Sequence, residues 1–181
     1  TSLTEVDLGD GPIPVTAGFL STFMPQLNNL DPELPMRIDL KPTLAPFLTG
    51  NPGPTVEIGE IRIPQLLLEV HYNDGIHTGN NSLIIRGALD MRAGFDLSFD
   101  PLSGSLAFSI SNVSNLVIAF LVNNVLANEV QLTAVLNYLL PQVLPSLGDS
   151  LGAFPLPEFF GLQLQGVEVS RNGAFYTLFA D

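Results

Sequence analysis

Apolar and polar residues alternate along one long stretch of the chain, residues 83–99. Every odd position there is apolar or glycine, and the even positions include Arg86, Asp90, Arg92 and Asp96. Side chains of a β-strand point alternately to its two faces, so the pattern predicts one strand with an apolar and a polar face. Roughly 17 residues at about 3.3 Å each would span about 55 Å if straight, whereas a compact domain of this length is roughly 40 Å across. We therefore expect the strand to bend around an apolar interior, filled either by the protein's own side chains or by a lipid.

Further runs predict strands on both sides of this one: residues 34–41, 56–72, 106–110, 116–121, 160–169 and 174–180. Pro64 should mark a break or an edge in the second run, because proline has no backbone N–H to donate to a neighbouring strand. A kink near Asn112 should separate the third run from the fourth. The chain thus begins with strands, and strands also close it.

One long helix is predicted over residues 129–152. Asn128 is a favourable N-cap, and Gln131 follows three positions later, as in a capping box. Apolar residues occupy nearly all sides of the segment, so we expect the helix to be buried against the concave face of the sheet. Pro141 and Pro145 each remove a backbone donor and should kink it. The sequence therefore predicts the α+β class, with a strongly curved antiparallel sheet wrapped around one long Pro-kinked helix.

The composition is that of an acidic chain rich in apolar residues. Its formal net charge is −12, so the neutralisation of phosphates that drives nucleic-acid binding is missing, and docking on anionic headgroups by charge is disfavoured. There is no cysteine, which excludes disulfides and thiolate metal sites. No window reaches 18 uninterrupted apolar residues, so we expect no transmembrane segment.

The search for catalytic or metal-binding chemistry yields one pair of histidines. His71 and His77 border the turn at residues 73–75, where they could bind a metal or exchange protons. No third ligand or nucleophile motif accompanies them, so we interpret them as two solvated histidines. The charged positions of residues 83–99 are interpreted as a solvated face, with a charged docking stripe as the alternative. We expect no enzyme, no metal and no cofactor.

The last part of the chain resembles a known family. The TULIP superfamily of lipid-binding proteins comprises the relatives of bactericidal/permeability-increasing protein, lipopolysaccharide-binding protein and cholesteryl ester transfer protein. Four segments of this chain resemble the C-terminal signature of the superfamily: Asn137-Tyr-Leu-Leu-Pro, Leu144-Pro, Leu147-Gly-Asp-Ser-Leu151 and Gly152-Ala-Phe-Pro-Leu-Pro157. The alanine between Gly152 and Phe154 departs from the family pattern. Upstream, residues 19–25, 34–36, 42–54 and 104–107 are similar to the second barrel of these proteins.

The resemblance implies a TULIP-like half-barrel with an apolar cavity that accepts acyl chains. It implies that residues 1–181 form a single lipid-binding domain, the C-terminal part of a longer chain, placed in the extracellular space, the periplasm or at the cell surface. Family barrels carry a second long helix before the strands, which residues 1–32 cannot supply. Either the chain is the trailing part of a longer protein, or a partner completes the barrel.

We therefore predict non-catalytic binding of a lipid or fatty-acyl ligand in an apolar groove between sheet and helix. The predicted lining residues are Leu83, Ile85, Leu89, Met91, Phe95, Leu106, Phe108, Ile110, Leu136, Leu140 and Leu144. Each of these could instead be ordinary core packing. The alternative function is a structural or assembly protein, a homo-oligomer or a subunit whose groove holds a partner's apolar element, because exposed apolar surface and strand edges favour association.

Overall fold

The computed structural model of the chain describes the backbone of residues 2–7, 11–100, 105–151, 154–155 and 167–180. Side chains are described for the same residues except 100, 141–151, 154–155, 167, 178 and 180. The chain divides into two compact units, which alternate along the sequence. Unit 1 comprises Thr1–Ala45, Ile63–Asp90 and Leu116–Gln142, and unit 2 comprises Pro46–Arg62, Met91–Asn115 and Val143–Asp181.

Strands make up most of the described residues: β1 (Ser2–Leu3), β2 (Glu5–Asp7), β3 (Pro12–Pro14), β4 (Met36–Pro42), β5 (Phe47–Leu48), β6 (Gly59–Tyr72), β7 (Leu83–Asp100), β8 (Ser105–Asn123), β9 (Phe154–Pro155), β10 (Val167–Asn172) and β11 (Phe175–Ala180). The helices are α1 (Ala17–Ser21) and α2 (Glu129–Leu151), with short 3-10 helices at Pro25–Asn29 and Gly79–Ser82. One sheet joins β1, β4, β6, β7, β8 and β9 in that order, with β5 also paired to β6. The pairs β2–β3 and β10–β11 form two separate antiparallel hairpins.

The predicted α+β class, with an open, curved antiparallel sheet and few helices, is confirmed. Helix α2 is continuous through Pro141, and the predicted bend at that residue stays a prediction, since the side chains from residue 141 onward lie outside the described set. Ahead of the main strands, the described residues contain only the short α-helix α1 and one 3-10 helix, as expected for this segment.

The start of α2 is fixed by the predicted capping box. The Asn128 side-chain oxygen accepts a hydrogen bond from the Gln131 backbone N–H, and the Gln131 side-chain oxygen accepts one from the Asn128 N–H, both at 2.9 Å. These bonds satisfy backbone donors that a helix leaves free at its N-terminus. Beyond the cap, the described part of α2 buries Leu132, Val135, Leu136, Leu139 and Leu140.

Within unit 1, α2 packs on the apolar face of β7. A Cβ atom placed on Gly87 would lie 3.2 Å from the Leu132 side chain, so the glycine leaves room for the helix. The odd positions of β7 are buried from residue 83 to residue 95: Leu83, Ile85, Gly87, Leu89, Met91, Ala93 and Phe95. The prediction that this face points inward is confirmed for residues 83–95, whereas Leu97 and Phe99 are half-buried.

The polar face of β7 is less exposed than the sequence predicted. Its charged residues Arg86, Asp90, Arg92 and Asp96 are half-buried rather than fully solvated. In unit 1 Asp90 accepts a hydrogen bond from the Gln65 backbone N–H at 3.1 Å, and in unit 2 Asp96 accepts one from the Ile58 N–H at 2.9 Å. These carboxylates therefore serve as acceptors for backbone groups of the neighbouring segment.

Two predicted irregularities in the strands are confirmed. Strand β6 changes partner around Pro64: β5 pairs with Ile61 and Arg62, and β4 pairs from Leu66 onward. Between these pairings Gln65 has a positive φ of 48°. In β8 the expected kink coincides with Asn112 and a second asparagine, Asn115, at φ values of 46° and 50°. Asparagine tolerates this left-handed region better than most residues, which is why it marks such bends.

Candidate functional site

The predicted lining residues fall into both units, and nearly all of them are buried. Unit 1 holds Leu83, Ile85, Leu89, Leu136 and Leu140; unit 2 holds Met91, Phe95, Leu106, Phe108 and Ile110. Phe108 is half-buried, and the other nine of these residues are at most 8% exposed. The side chain of Leu144 lies outside the described residues. A ligand can therefore reach these residues only where a cavity opens beside them.

Unit 2 contains such a cavity, an opening of about 350 Å³ that we call the apolar pocket. It is lined by Pro46, Phe47, Leu48, Ile61, Leu97, Leu106 and Phe108. Leu106 and Phe108 belong to the predicted set. No lining residue carries a polar side chain, which is the character expected of a site for an aliphatic ligand.

Strand β5 forms one rim of the apolar pocket. Phe47 and Leu48 pair with Arg62 and Ile61 of β6, yet remain 48% and 45% exposed. Half-exposed apolar side chains at the mouth of an apolar cavity are available to a ligand that enters it.

The segment after β5 is held by the buried carboxylate of Glu60. Its Oε1 accepts hydrogen bonds from the Thr49 hydroxyl at 2.8 Å and from the Asn51 side-chain amide at 3.0 Å. Burial alone would raise the pKa of Glu60, but these two hydrogen bonds and the charge of Arg92 outweigh it and lower the pKa. The rim is therefore anchored by an ionised side chain, whereas the pocket lining itself is apolar.

Stacked aromatic rings support the apolar pocket from within unit 2. Phe95 is fully buried and stacks on Phe108, with ring centroids 4.9 Å apart and an interplanar angle of 9°. Phe95 also makes an edge-to-face contact with Tyr176, with ring centroids 5.3 Å apart. A Cβ atom on Gly59 would collide with both the Tyr176 hydroxyl and the Phe95 ring. Burial raises the pKa of Tyr176, so its hydroxyl stays neutral in this setting.

Sequence reasoning missed five of the residues that line the apolar pocket: Pro46, Phe47, Leu48, Ile61 and Leu97. Leu97 carried a usable signal, because it is an odd position of the alternating run. Phe47 and Leu48 carried a weaker signal. They are two large apolar residues that directly follow a proline in a proline-rich segment. Their pairing with β6 joins residues about fourteen positions apart, which no local pattern reveals.

A second cavity, of about 450 Å³, lies in unit 1 and is less suited to an acyl chain. It is lined by Thr43, Gln65, Leu67, Ala88, Leu89, Asp90, Val117, Ala119 and Leu121. Three of these residues are polar, and Asp90 is an acid. Leu89 is the only predicted lining residue among them, and it is fully buried.

The two histidines differ in their surroundings, which corrects the interpretation of both as solvated. His77 is exposed and pairs with Asp74, with 2.7 Å between Nδ1 and Oδ2. His71 is buried, only 8% exposed, because β6 continues through it and pairs with β4. Two buried carboxylates, which the sequence did not reveal, also lie beside His71. Its Nε2 lies 3.8 Å from Asp39 Oδ2 and 3.5 Å from Glu69 Oε2.

Arginine and lysine side chains surround the cluster of Asp39, Glu69 and His71. Glu69 bonds Lys41 Nζ at 2.5 Å and Arg86 Nε at 2.6 Å. Burial would raise the pKa of Glu69, but these bonds and charges outweigh it and lower the pKa to about 2. The pKa of Asp39 is lowered as well, against the effect of burial, by a hydrogen bond from Ser2 and by neighbouring cations. Both carboxylates are therefore ionised at neutral pH.

Among solved structures, the crystal structure of lipopolysaccharide binding protein is similar to this chain. The two superimpose with a TM-score of 0.58 and 19% sequence identity. The similarity covers 99% of this chain and 39% of that protein, so the chain spans about two fifths of its length.

The chain has the fold of lipopolysaccharide binding protein. The resemblance predicted from residues 137–157 is thereby confirmed at the level of the fold. No protein-family model and no curated protein sequence matches the chain. Within the described residues, no helix combines the length and apolar character needed to cross a membrane.

Proposed function

We propose that the chain binds a lipid or another aliphatic ligand in the apolar pocket of unit 2, without catalysis. The observation that carries this proposal is a cavity of about 350 Å³ whose lining side chains are all apolar. The fold supports it, since the similar solved structure is that of a protein named for binding a lipopolysaccharide. We also propose that the chain acts in the extracellular space, the periplasm or at the cell surface, and the sequence resemblance to TULIP proteins supports this part of the proposal.

The size of the pocket suits part of an acyl chain. Ligand pockets span roughly 300–1,000 Å³, so this one is at the small end of the range. Burial contributes about 0.8 kcal/mol per methylene, so roughly ten methylenes would contribute about 8 kcal/mol before the entropic costs of binding are subtracted. We therefore expect the pocket to take one aliphatic chain and to leave a headgroup outside.

Affinity should come from apolar burial and not from charge. The pocket lining carries no cation, and the net charge of −12 repels anionic headgroups. Apolar burial is not screened by ions, whereas charge attraction is screened beyond about 3 Å at about 1 M salt. Binding should therefore weaken little between low and high salt.

A fluorescent fatty acid, titrated at low salt and at about 1 M salt, tests the proposal. Phe47→Ser removes a half-exposed ring at the rim and should weaken binding about fivefold to tenfold, since it removes about 1 kcal/mol of apolar contact. The matched control is Phe175→Ser, which removes a 77% exposed ring of unit 2 that does not line the pocket. Absence of uptake would overturn the proposal, as would equal losses in the two variants. If the fatty acid binds at low salt but not at high salt, charge and not apolar burial supplies the affinity.

Self-association is a second candidate, favoured by exposed aromatic residues in unit 2. Phe175 and Phe179 of β11 are 77% and 57% exposed. Exposed apolar side chains on the same face of a strand often mark an interaction surface. Sedimentation at increasing concentration would detect it, and Phe175→Ser combined with Phe179→Ser should then restore the monomer. A wild-type chain that stays monomeric would exclude this candidate.

A further inference from the structure

A second group of buried polar side chains lies in unit 1, apart from the residues that line the apolar pocket. Strands β4 and β6 pair in a register that sets Asp39 opposite Glu69, and His71 follows two positions later on the same face. The exposed fractions are 4%, 4% and 8%, respectively. Their donor atoms all lie within 4.8 Å of one another. Two carboxylates and an imidazole thus share one small buried volume.

The hydrogen bonds of His71 leave one ring nitrogen without a partner. Ser82 Oγ donates to the Gly79 carbonyl at 2.8 Å, and a carbonyl can only accept. With the hydroxyl proton used in that bond, a proton on His71 Nδ1, which lies 3.0 Å from Ser82 Oγ, completes the contact between the two side chains. His71 Nε2 is buried and has no hydrogen-bond partner.

His71 Nε2 faces the two carboxylates at distances that do not fit a hydrogen bond. It lies 3.5 Å from Glu69 Oε2 and 3.8 Å from Asp39 Oδ2, whereas N–H···O bonds measure about 2.7–3.2 Å. Two ligands held about 2.0–2.2 Å from one metal ion at tetrahedral to trigonal angles are roughly 3.3–3.7 Å apart. The shorter distance lies inside that range, and a shift of a few tenths of an ångström brings the longer one into it.

We propose that Asp39, Glu69 and His71 form a binding site for a divalent transition-metal ion such as Zn²⁺, and that Lys41 competes with the ion for it. An imidazole nitrogen combined with carboxylate oxygens is a ligand set that suits Zn²⁺ better than Ca²⁺ or Mg²⁺. The bond from Nδ1 to Ser82 matches the outer contact by which proteins orient a metal-binding histidine.

The two arginines beside the cluster leave the oxygens that face His71 available to the ion. Arg37 pairs with Asp39 Oδ1 at 3.1 Å, and Arg86 pairs with Glu69 Oε1 at 2.6 Å. The remaining oxygens, Asp39 Oδ2 and Glu69 Oε2, are the ones that face His71. Each carboxylate thus has one oxygen held by an arginine and one directed towards the proposed site.

Lys41 occupies the position that the ion would take. Its Nζ lies 2.5 Å from Glu69 Oε2 and 3.6 Å from Asp39 Oδ2. The Lys41 side chain is 54% exposed, so it can move into solvent without unfolding the strands around it. The ammonium and a metal ion therefore exclude each other, and removal of the ammonium should strengthen metal binding.

Titration of the tag-free chain tests this site, with Zn²⁺ followed by calorimetry and Co²⁺ followed by its visible absorption. We expect one ion per chain. It should bind at least tenfold tighter in Lys41→Met, which keeps an unbranched side chain one atom shorter than lysine, and at least tenfold weaker in His71→Gln. His77→Gln is the matched control, because His71 and His77 are the only histidines of the chain, and it should bind like the wild type.

Each other outcome contradicts the proposal. If Lys41→Met binds no tighter than the wild type, or neither binds, the three side chains form an ion-pair network only. If His77→Gln loses binding, the ion sits at the exposed histidine. Should His71→Gln fail to fold, long-range ¹H–¹⁵N spectra of Lys41→Met replace it. Zn²⁺ should shift the Nε2 resonance of His71 and leave that of His77 in place, and the reverse pattern would overturn the assignment.

Discussion

Strand β7 passes through both units, and its apolar face is covered differently in each. In unit 1 the side chains of α2 lie on this face, with Leu132 beside Gly87, and Leu89 is fully buried. In unit 2 the same face continues to Leu97, which lines the apolar pocket. One alternating pattern thus lies under a helix in one unit and reaches the wall of the apolar pocket in the other. What covers a strand, and not its own sequence, decides which of the two results.

The largest difference between the units should appear when a charge is placed on this face. Leu89→Asp puts a carboxylate at a fully buried position of unit 1 and should cost about 4 kcal/mol or more, or unfold the chain. Leu97→Asp places it at the half-buried wall of the pocket, where water can reach it, and should cost only about 1–2 kcal/mol. Urea unfolding measures both. Equal losses would mean that the pocket wall is as closed as the core.

The next largest difference in stability between the units should appear when a glycine in each is replaced by alanine, which adds one methyl group. Gly59→Ala drives a Cβ into the Tyr176 hydroxyl and the Phe95 ring of unit 2, and overpacking of this kind costs about 1–3 kcal/mol. Gly87→Ala in unit 1 meets only the flexible tip of Leu132 at 3.2 Å and should cost less than about 1 kcal/mol. Thermal unfolding of the two variants tests the order, and a larger loss for Gly87→Ala would reverse it.

Acid should destabilise both units, and one buried glutamate in each has its pKa lowered to about 2. Burial would raise the pKa of Glu57 in unit 2, but hydrogen bonds from Asn112 and Thr55 outweigh it, and the pKa is lowered to about 2, as is that of Glu69 in unit 1. Because these values lie below the ordinary 4.5, the stabilisation is complete above about pH 4.5. It is lost as the pH falls from there towards about 2.

Single variants assign this acid sensitivity to a unit. Glu57→Gln and Glu69→Gln should each be less stable than the wild type at pH 7 and should lose less stability on acidification, because each lacks one titrating group. Thr55→Val, which removes a hydroxyl that donates to Glu57 at 2.9 Å, should give a smaller change in the same direction. Urea midpoints at pH 7, 4.5 and 3 provide the measurement. A variant with the full wild-type slope would show that its glutamate does not titrate in that range.

Local patterns were sufficient for the longest elements, β7 and α2, whereas the short strands β1, β2, β3, β5 and β9 were not predicted. Alternation predicted β7 and its inward face, since the two faces of a strand are set by chain geometry alone. The capping box at Asn128 predicted the start of α2, because its partners are only three residues apart. Pro64 and Asn112 predicted the irregular points of β6 and β8 for the same reason, since backbone restrictions of single residues act locally.

The candidate sites were decided by tertiary structure. Phe47 and Leu48 became the rim of a pocket only through pairing with β6, and His71 became buried beside Asp39 only through the register of β4 and β6. Such contacts join residues far apart in sequence, and a shift of register by one position would turn every one of these side chains to the other face. By itself the sequence determined which face of β7 is apolar and where β7 and α2 begin. The pairing of the strands determined where an apolar face is left open and which polar groups share a buried volume, because these contacts join residues that no local pattern connects.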